Sequence, residues 1–391
     1  MTKLLDKVNK GVTDIPSFLG ESQKSISEII QTQNFDNFQG SRDVIENYLD
    51  KLDKRIEERR LTGRNNPLEG ISTGYELLDK YTRGFSKGDL IILAARPSVG
   101  KTAFAINIAS NVAKRGIPVA FFSLEMRADK IMGRLLTDRS GINQDTINAL
   151  NYVKKYDQHD NVILVPDKTI KIGNSSIKDL TNFQNAINGL NRDPIYIDDN
   201  PGTMVISIQS ELKKFQSQHS NLGLVIIDYL QLINSASGKV SGNDNRTNIV
   251  GDISRALKGM ARDLNVPVLA LAQLSRAVDS RPDHKPTMSD LRDSGAIEQD
   301  ADMVMMLYRE DYYKKGDGKG AQGQEAAPSG PDESSQDDSV PSNVTLILAK
   351  NRNGRTGEIS FSFQKDVCHF NAIDEDLSAS LDNQEQEPVS F

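Results

Sequence analysis

The sequence contains one segment whose residue types and spacing suit the binding of a triphosphate. An apolar run from Leu90 leads into a loop that ends in a Gly-Lys-Thr tripeptide, and a helical pattern follows. A triphosphate needs backbone N–H groups at the start of a helix, an ammonium for its outer phosphates and a hydroxyl for Mg²⁺. We therefore predict that ATP and Mg²⁺ bind here, with Thr102 as a metal ligand. The segment comprises Ala95, Arg96, Pro97, Ser98, Val99, Gly100, Lys101 and Thr102.

The first position of this loop departs from the usual pattern, in which a glycine opens it. Ala95 occupies that position here. The alternative to a phosphate site is a tripeptide that begins a helix by chance. The strand pattern before the loop, the loop length and the helix after it all match, and this context favours the phosphate site.

Three further polar residues follow apolar runs of the kind that form buried strands, namely Glu125, Asp228 and Gln273. Parallel strands present such residues along one edge of a sheet, where nucleotides bind. Asp228 is predicted to support Mg²⁺, Glu125 to polarise the attacking water as a base, and Gln273 to sense the γ-phosphate. The alternatives are a helix-capping Asp, a surface Glu that opens a helix and a buried amide that ties two strands together.

The elements that must position these residues predict an α/β fold. From about Gly70 to Tyr308, apolar runs alternate with helical patterns, which favours βαβ units around a mostly parallel sheet. Residues 145–193 have a polar, helical pattern, and the turn at Asn353–Gly354 predicts a hairpin at the sheet edge. The predicted strands are 90–94, 119–123, 195–198, 224–227, 266–271 and 303–307, with 344–349 and 359–363 in the hairpin.

Composition predicts a cytoplasmic protein with no membrane partner. The 391 residues include 26% charged residues and one cysteine, Cys368, which excludes an internal disulfide and a thiolate zinc site. No stretch approaches the ~20 apolar residues of a membrane span. The net charge is −7, but residues 366–391 hold seven acids and no Lys or Arg. The remainder is balanced, so the acidic pI does not exclude a polyanionic partner.

The composition also divides the chain. We predict a helical N-terminal segment (1–40), a linker helix and loop (41–69), an α/β domain (70–373) with a disordered insertion (315–342), and an acidic disordered tail (374–391). The linker helix spans Ser41–Arg60 and needs a surface to dock on, in its own domain or on a neighbouring subunit. Its apolar stripe comprises Val44, Ile45, Tyr48, Leu49, Leu52 and Ile56.

Six motifs in order resemble those of the DnaB-type replicative helicases, which are hexameric RecA-like ATPases. Ala95 is also what this family carries at that position. The resemblance covers about residues 70–370 and implies a RecA-like P-loop NTPase core, preceded by a short helical segment and a linker helix. The matching segments are 94–102, 122–126, 227–233, 272–276, 289–302 and 349–354.

The resemblance implies a homohexameric ring that moves 5′ to 3′ on single-stranded DNA, unwinds the replication fork and hydrolyses ATP at subunit interfaces. Lys101 and Glu125 are then catalytic, Asp228 supports the metal and Gln273 couples the γ-phosphate to the DNA loop. Lys350 and Arg352 resemble the pair that reaches the adjacent subunit's site, with Arg352 as the finger that stabilises the transferred phosphoryl group. The implied DNA loop comprises Arg292, Asp293, Ser294 and Gly295.

From the residues alone, the Lys-x-Arg pair is equally a solvated hairpin end, and the DNA loop an ordinary Ser/Gly turn. Family members normally begin with a helical domain that recruits primase, and here Met1–Gln39 corresponds at most to its final helical segment. The resemblance implies a helicase loader and primase as partners, but the short N-terminal segment argues against primase docking. The alternatives to a helicase are a RecA-like recombination mediator without unwinding activity and a non-catalytic replication adaptor.

Overall fold

The computed structural model describes residues 40–62, 68–158, 162–166, 177–201, 204–218, 221–228, 230, 244–291, 295–314 and 340–373. Contacts divide the chain into two units, Met1–Pro67 and Leu68–Phe391. The described part of the first unit is essentially one helix, α1 (Ser41–Thr62). Five residues of its apolar stripe are 46–58% exposed: Val44, Ile45, Tyr48, Leu49 and Ile56. The predicted N-terminal segment through residue 39, the insertion over 315–339 and the tail lie outside the described residues.

The second unit alternates strands and helices, as its apolar runs predicted. Its first half comprises α2 (Glu76–Thr82), β1 (Leu90–Ala95), α3 (Lys101–Ala113), β2 (Val119–Ser123), α4 (Ala128–Ser140), α5 (Gln144–Asn148), β3 (Tyr152–Tyr156), β4 (Val162–Pro166), α6 (Ile177–Leu190) and β5 (Ile195–Asp198). Its second half comprises α7 (Val205–Gln218), β6 (Leu224–Asp228), α8 (Asp244–Leu264), β7 (Val268–Gln273), α9 (Gly295–Asp300), β8 (Met303–Arg309), α10 (Glu310–Lys314), β9 (Ser342–Asn351), β10 (Gly357–Gln364) and β11 (His369–Ala372).

In the described part of the chain, nine strands form one sheet in the order β11-β10-β9-β8-β1-β7-β6-β2-β5. The six strands from β8 to β5 pair in parallel, and the other three pairings are antiparallel. This mixed α/β architecture confirms the predicted fold class. Because β1 lies between β7 and β8, the loop that follows it emerges at the middle of the sheet.

Alternate residues of β1 enter two different apolar cores. Ile91 and Leu93 pack in the core that contains Phe104 of α3, whereas Leu90 and Ile92 pack in the core that contains Leu257 of α8. The central strand is therefore buried on both faces, which explains its continuous apolar sequence. Among the described residues, no helix has the length and apolarity that a membrane crossing requires.

The helical prediction for residues 145–193 was wrong for part of the segment. β3 and β4 form a separate antiparallel pair between α5 and α6. All five residues of β3 are exposed, and Leu164 of β4 packs with Leu180 and Phe183 of α6. A short hairpin that buries one strand side chain against a helix shows little alternation of apolar and polar residues. Its sequence therefore cannot be distinguished from that of a polar helix.

The predicted C-terminal hairpin is formed by β9 and β10, but it does not form the sheet edge. β11 adds antiparallel to β10 and is the outermost strand. Its four residues are too few for a strand pattern in the sequence, although Phe370 is buried among aromatic rings. The predicted insertion also ends earlier than expected, because Ser342 is the buried first residue of β9.

Candidate nucleotide-binding site

The loop after β1 forms a sharp turn into the N-terminus of α3. Ser98 and Gly100 both have positive φ values, 61° and 115°, and Phe104 N–H donates to the Gly100 carbonyl at 2.9 Å to begin the helix. A Cβ on Gly100 would lie 3.0 Å from Phe370 Cζ. Both the backbone conformation and the aromatic ring therefore require glycine at this position.

Two arginines connect this loop to residues outside it. The Arg96 guanidinium donates to Asp279 at 3.0 and 2.7 Å and to the Leu274 carbonyl at 3.2 Å. Arg309 Nη1 donates to the Ser98 carbonyl at 3.2 Å. Asp279 and Arg309 were not predictable from the sequence, because each is about 200 positions from its partner and belongs to no local motif.

Lys101, Thr102 and Asp228 meet at the start of α3. Thr102 Oγ1 donates to Asp228 Oδ2 at 2.7 Å, and Lys101 Nζ lies 3.7 Å from Asp228 Oδ1. Asp228 is fully buried, and its Oδ1 has no hydrogen-bond partner among the described residues. A buried carboxylate oxygen in that state, beside a hydroxyl, fits an Mg²⁺ site because this ion prefers oxygen ligands.

Glu125 and Gln273 lie at the same edge of the sheet. Ser123 pairs with Asp228 in the register of β2 and β6, and Leu124 N–H donates to the Asp228 carbonyl at 2.7 Å. Glu125 follows directly and is exposed. Gln273 is half-buried and pairs with Ala95, at the end of β1. The structure thus brings the strand-end residues of three neighbouring strands to the phosphate loop.

Lys350 and Arg352 lie beside the amino-terminal ends of β8 and β1. The phosphate loop lies at the carboxyl ends of the parallel strands, so the pair is at the opposite edge of the sheet. Lys350 pairs with Val304 at the start of β8, and Arg352 N–H donates to the Asp302 carbonyl at 2.9 Å. Asp302 N–H in turn donates to the carbonyl of Leu90, the first residue of β1. The phosphate loop begins after the sixth residue of β1, roughly 17 Å further along at the usual strand rise of about 3.3 Å per residue.

The side chains of this pair contact α9. Lys350 Nζ donates to the carbonyls of Glu298 and Ala301, and burial together with the nearby Arg352 charge lowers the pKa of Lys350. Arg352 donates to the Gln299 carbonyl and to Asp302. Of the predicted DNA loop, Arg292, Asp293 and Ser294 lie outside the described residues. Gly295 is described and is the first residue of α9.

The central parallel sheet, the phosphate loop after β1 and the polar residues at the adjoining strand ends define a RecA-like P-loop ATPase. Comparisons support this class and identify the family. A solved structure, the ATPase domain of G40P, matches with a TM-score of 0.66 and 33% identity, over 86% of this chain and 100% of that one. A DnaB-like replicative helicase, solved in a study of its interactions with primase, matches with a TM-score of 0.67 and 29% identity, over 95% of this chain and 74% of that one.

The family model of the DnaB-like helicase C terminal domain matches residues 70–372. Replicative DNA helicase DnaC of Bacillus subtilis (strain 168) is 40% identical over 358 residues, and replicative DNA helicase DnaB of Geobacillus stearothermophilus is 38% identical over 359 residues. Each alignment covers 91% of this chain and 67% of the relative. The chain belongs to the DnaB-like helicase family. These findings support the predicted function, an ATP-dependent replicative DNA helicase, and not the recombination alternative.

Proposed function

We propose that this chain assembles into a homohexameric ring that hydrolyses ATP between subunits and moves 5′ to 3′ along single-stranded DNA at the replication fork. One observation carries the proposal. Arg352 and the phosphate loop of the same subunit lie at opposite edges of the sheet, so Arg352 can complete a nucleotide site only in another subunit. A head-to-tail interface that closes into a ring satisfies this requirement at every site, whereas an open filament leaves one terminal site without its arginine.

Within one site, each residue has a separate task. Lys101 binds the outer phosphates, the backbone N–H groups of residues 98–102 surround them, and Glu125 orients and polarises the attacking water. Thr102 and Asp228 hold Mg²⁺, which when bound neutralises phosphate charge. Gln273 contacts the γ-phosphate side of the pocket, and Lys350 accompanies Arg352 at the neighbour's nucleotide. The guanidinium of Arg352 stabilises the charge that spreads over the transferred phosphoryl oxygens.

The DNA contact is assigned to the loop Arg292–Gly295, one copy from each subunit. Backbone amides and an arginine bind phosphates without reading bases, which suits an enzyme that must pass every sequence. A helicase loader is a further proposed partner. Primase is another proposed partner, because the matching DnaB-like replicative helicase was solved in a study of its interactions with primase.

The first test separates hydrolysis from nucleotide binding. We expect Arg352→Ala to lower the rate of ATP hydrolysis by about 10³-fold or more, because a finger supplied in trans contributes about 10³–10⁵. Nucleotide affinity, measured by calorimetry, should change little, because the guanidinium acts mainly on charge that develops in the transition state, whereas Lys101 and the loop N–H groups bind the phosphates in the ground state. Arg355→Ala is the matched control, since Arg355 is exposed on the same turn.

Strand displacement on forked DNA and the mass of the assembly in solution should be measured on the same samples. A single subunit that hydrolyses ATP at the full rate, or an Arg352→Ala variant as active as Arg355→Ala, contradicts the shared site.

A further inference from the structure

We propose that Asp302 is a positioning residue for the finger: its carboxylate and the Gln299 carbonyl near the C-terminus of α9 hold Arg352 in the orientation that the neighbouring nucleotide site requires. The inference rests on the proposed trans role of Arg352 and adds the group that orients it. Asp302 touches neither the nucleotide nor the reacting atoms.

Three contacts fix Arg352. Its backbone N–H donates to the Asp302 carbonyl at 2.9 Å, Nη1 donates to Asp302 Oδ1 at 3.2 Å, and Nη2 donates to the Gln299 carbonyl at 2.6 Å. A guanidinium has five N–H groups, and these side-chain bonds use two of them. The side chain is still 46% exposed. It is therefore restrained on one side and presented to solvent on the other.

Asp302 is itself anchored to the central strand. Its Oδ2 accepts from Leu90 N–H at 2.8 Å and from the ammonium of Lys258, which also donates to the Gly88 carbonyl at 2.8 Å. The Asp302 side chain is only 9% exposed. The carboxylate thus has a fixed position relative to β1 and α8, and it transmits that position to Arg352.

A purely structural explanation would make Arg352 the counter-ion that Asp302 needs in order to be buried. Lys258 already supplies that charge at closer range, so the burial of Asp302 does not depend on Arg352. The dependence runs in the other direction. A long arginine side chain loses rotamer freedom when it contacts a phosphate, and a finger that is oriented in advance avoids that cost at the moment of reaction.

Removing the Asp302 charge should therefore impair the neighbour's site and spare the subunit's own loop. In Asp302→Asn, we expect ATP hydrolysis to fall about 10- to 100-fold, because a misplacement of about 1 Å can cost 10²-fold in rate. The affinity of the same assembly for nucleotide should stay within about twofold, since Lys101 and Thr102 are unchanged. Asp89→Asn is the matched control: Asp89 accepts from Asn353 at 3.0 Å and lies 3.9 Å from Lys258 Nζ, but it makes no hydrogen bond to Arg352 among the described contacts.

Mixed assemblies distinguish positioning from simple damage. Lys101→Ala subunits have a defective loop but an intact Asp302 and Arg352, so they can serve the intact loop of an Asp302→Asn subunit. Mixing these two impaired variants should raise hydrolysis above that of either parent. Mixing Asp302→Asn with Arg352→Ala should restore none, because neither supplies a working finger.

Recovery of hydrolysis in two of the mixtures decides whether the inference holds. If Asp302 serves only its own fold or loop, the mixture with Lys101→Ala stays inactive, even though Arg352→Ala mixed with Lys101→Ala recovers. If the mixture of Arg352→Ala with Lys101→Ala also fails to recover, Arg352 does not act in the neighbouring subunit's site, and the proposed function is wrong as well. Thermal unfolding checks that the variants are folded, and Asp302→Glu, which retains the charge beside Lys258, replaces Asp302→Asn if the latter unfolds.

Discussion

The environment of the Lys101 ammonium has opposing effects on its pKa. Burial lowers its pKa, and the carboxylates of Asp228 and Glu125 act in the opposite direction. Asp228 Oδ1 lies 3.7 Å from Lys101 Nζ. The side chain is therefore placed where a phosphate could replace the carboxylate as its partner, without any change in the strands that hold the site.

We predict that Lys101→Ala abolishes ATP hydrolysis and weakens nucleotide binding, because the buried pocket then has no cation to meet the outer phosphates. The rate should fall by at least about 10²-fold, the usual effect of removing one preorganised electrostatic group. Steady-state hydrolysis and calorimetric titration with ATP measure the two effects. Lys114→Ala, at the exposed C-terminal end of the same helix, should behave as the unaltered protein. Equal losses in both variants would show that α3 was destabilised as a whole.

At the scale of elements, Asn107 joins the phosphate-loop helix to the outermost strand. Its Nδ2 donates to Asp138 of α4 and to the Cys368 carbonyl, both at 3.1 Å, and its Oδ1 accepts from Phe370 N–H at 2.8 Å. The ring of Phe370 then lies against Gly100. A four-residue strand at the sheet edge thereby supports the back of the phosphate loop.

His369 adds a titratable contact to this junction. Its Nδ1 lies 2.6 Å from Asp138 Oδ1, and this hydrogen bond is the main reason that the pKa of His369 is raised above 6.5. A group whose pKa is higher in the folded state stabilises the fold most below its unfolded pKa, and this stabilisation is lost as the pH rises through the folded value.

We therefore predict that His369→Gln lowers the free energy of unfolding most below the unfolded pKa of histidine, about 6.5, and that the difference from the unaltered protein shrinks as the pH rises through the higher folded pKa. Denaturant unfolding at a series of pH values measures this difference in the free energy of unfolding. His284→Gln is the control, because the His284 imidazole contacts a backbone carbonyl, at 3.4 Å from Val278 O, and not a carboxylate. A difference for His369→Gln that grows with pH would contradict the assignment.

At the scale of the whole molecule, two features of one subunit bear on the proposed assembly. Arg352 is half-exposed at the edge of the sheet away from its own phosphate loop, and the apolar stripe of α1 is exposed. Burying a leucine or isoleucine side chain contributes about 1.5–3 kcal/mol. Burial of the stripe would therefore favour association, and we propose that it packs on a neighbouring subunit.

A charge on this stripe should prevent assembly. We predict that Leu49→Glu lowers the mass in solution and reduces ATP hydrolysis together, because an unpaired carboxylate is costly to bury. Light scattering coupled to size exclusion measures the mass, and circular dichroism checks the fold of the subunit. Asp50→Ala, one residue along and on the opposite face of α1, should leave both unchanged. A fully assembled Leu49→Glu protein would remove α1 from the interface.

The strands that position the site were predictable because they are short, apolar and contiguous. The bounds predicted for 119–123 and 195–198 agree with β2 and β5, and β6 ends at Asp228, one residue after the predicted end. The β3–β4 hairpin and β11 were not predictable, because their stability depends on Leu164 packing on α6 and on Phe370 packing on other rings. Neither contact has a local signature.

The sequence by itself determined the chemistry of the phosphate loop and the residues that end the neighbouring strands, because both depend on a few contiguous positions and on a parallel sheet that aligns strand ends. Only the tertiary structure decided that Arg352 lies at the opposite edge and is held by Asp302, and that Arg96 and Arg309 support the loop. These relations join residues 50 to about 200 positions apart. The Arg352–Asp302 contact forms because β9 runs antiparallel beside β8. The contacts of Arg96 and Arg309 form because side chains that are distant in the sequence pack together in three dimensions.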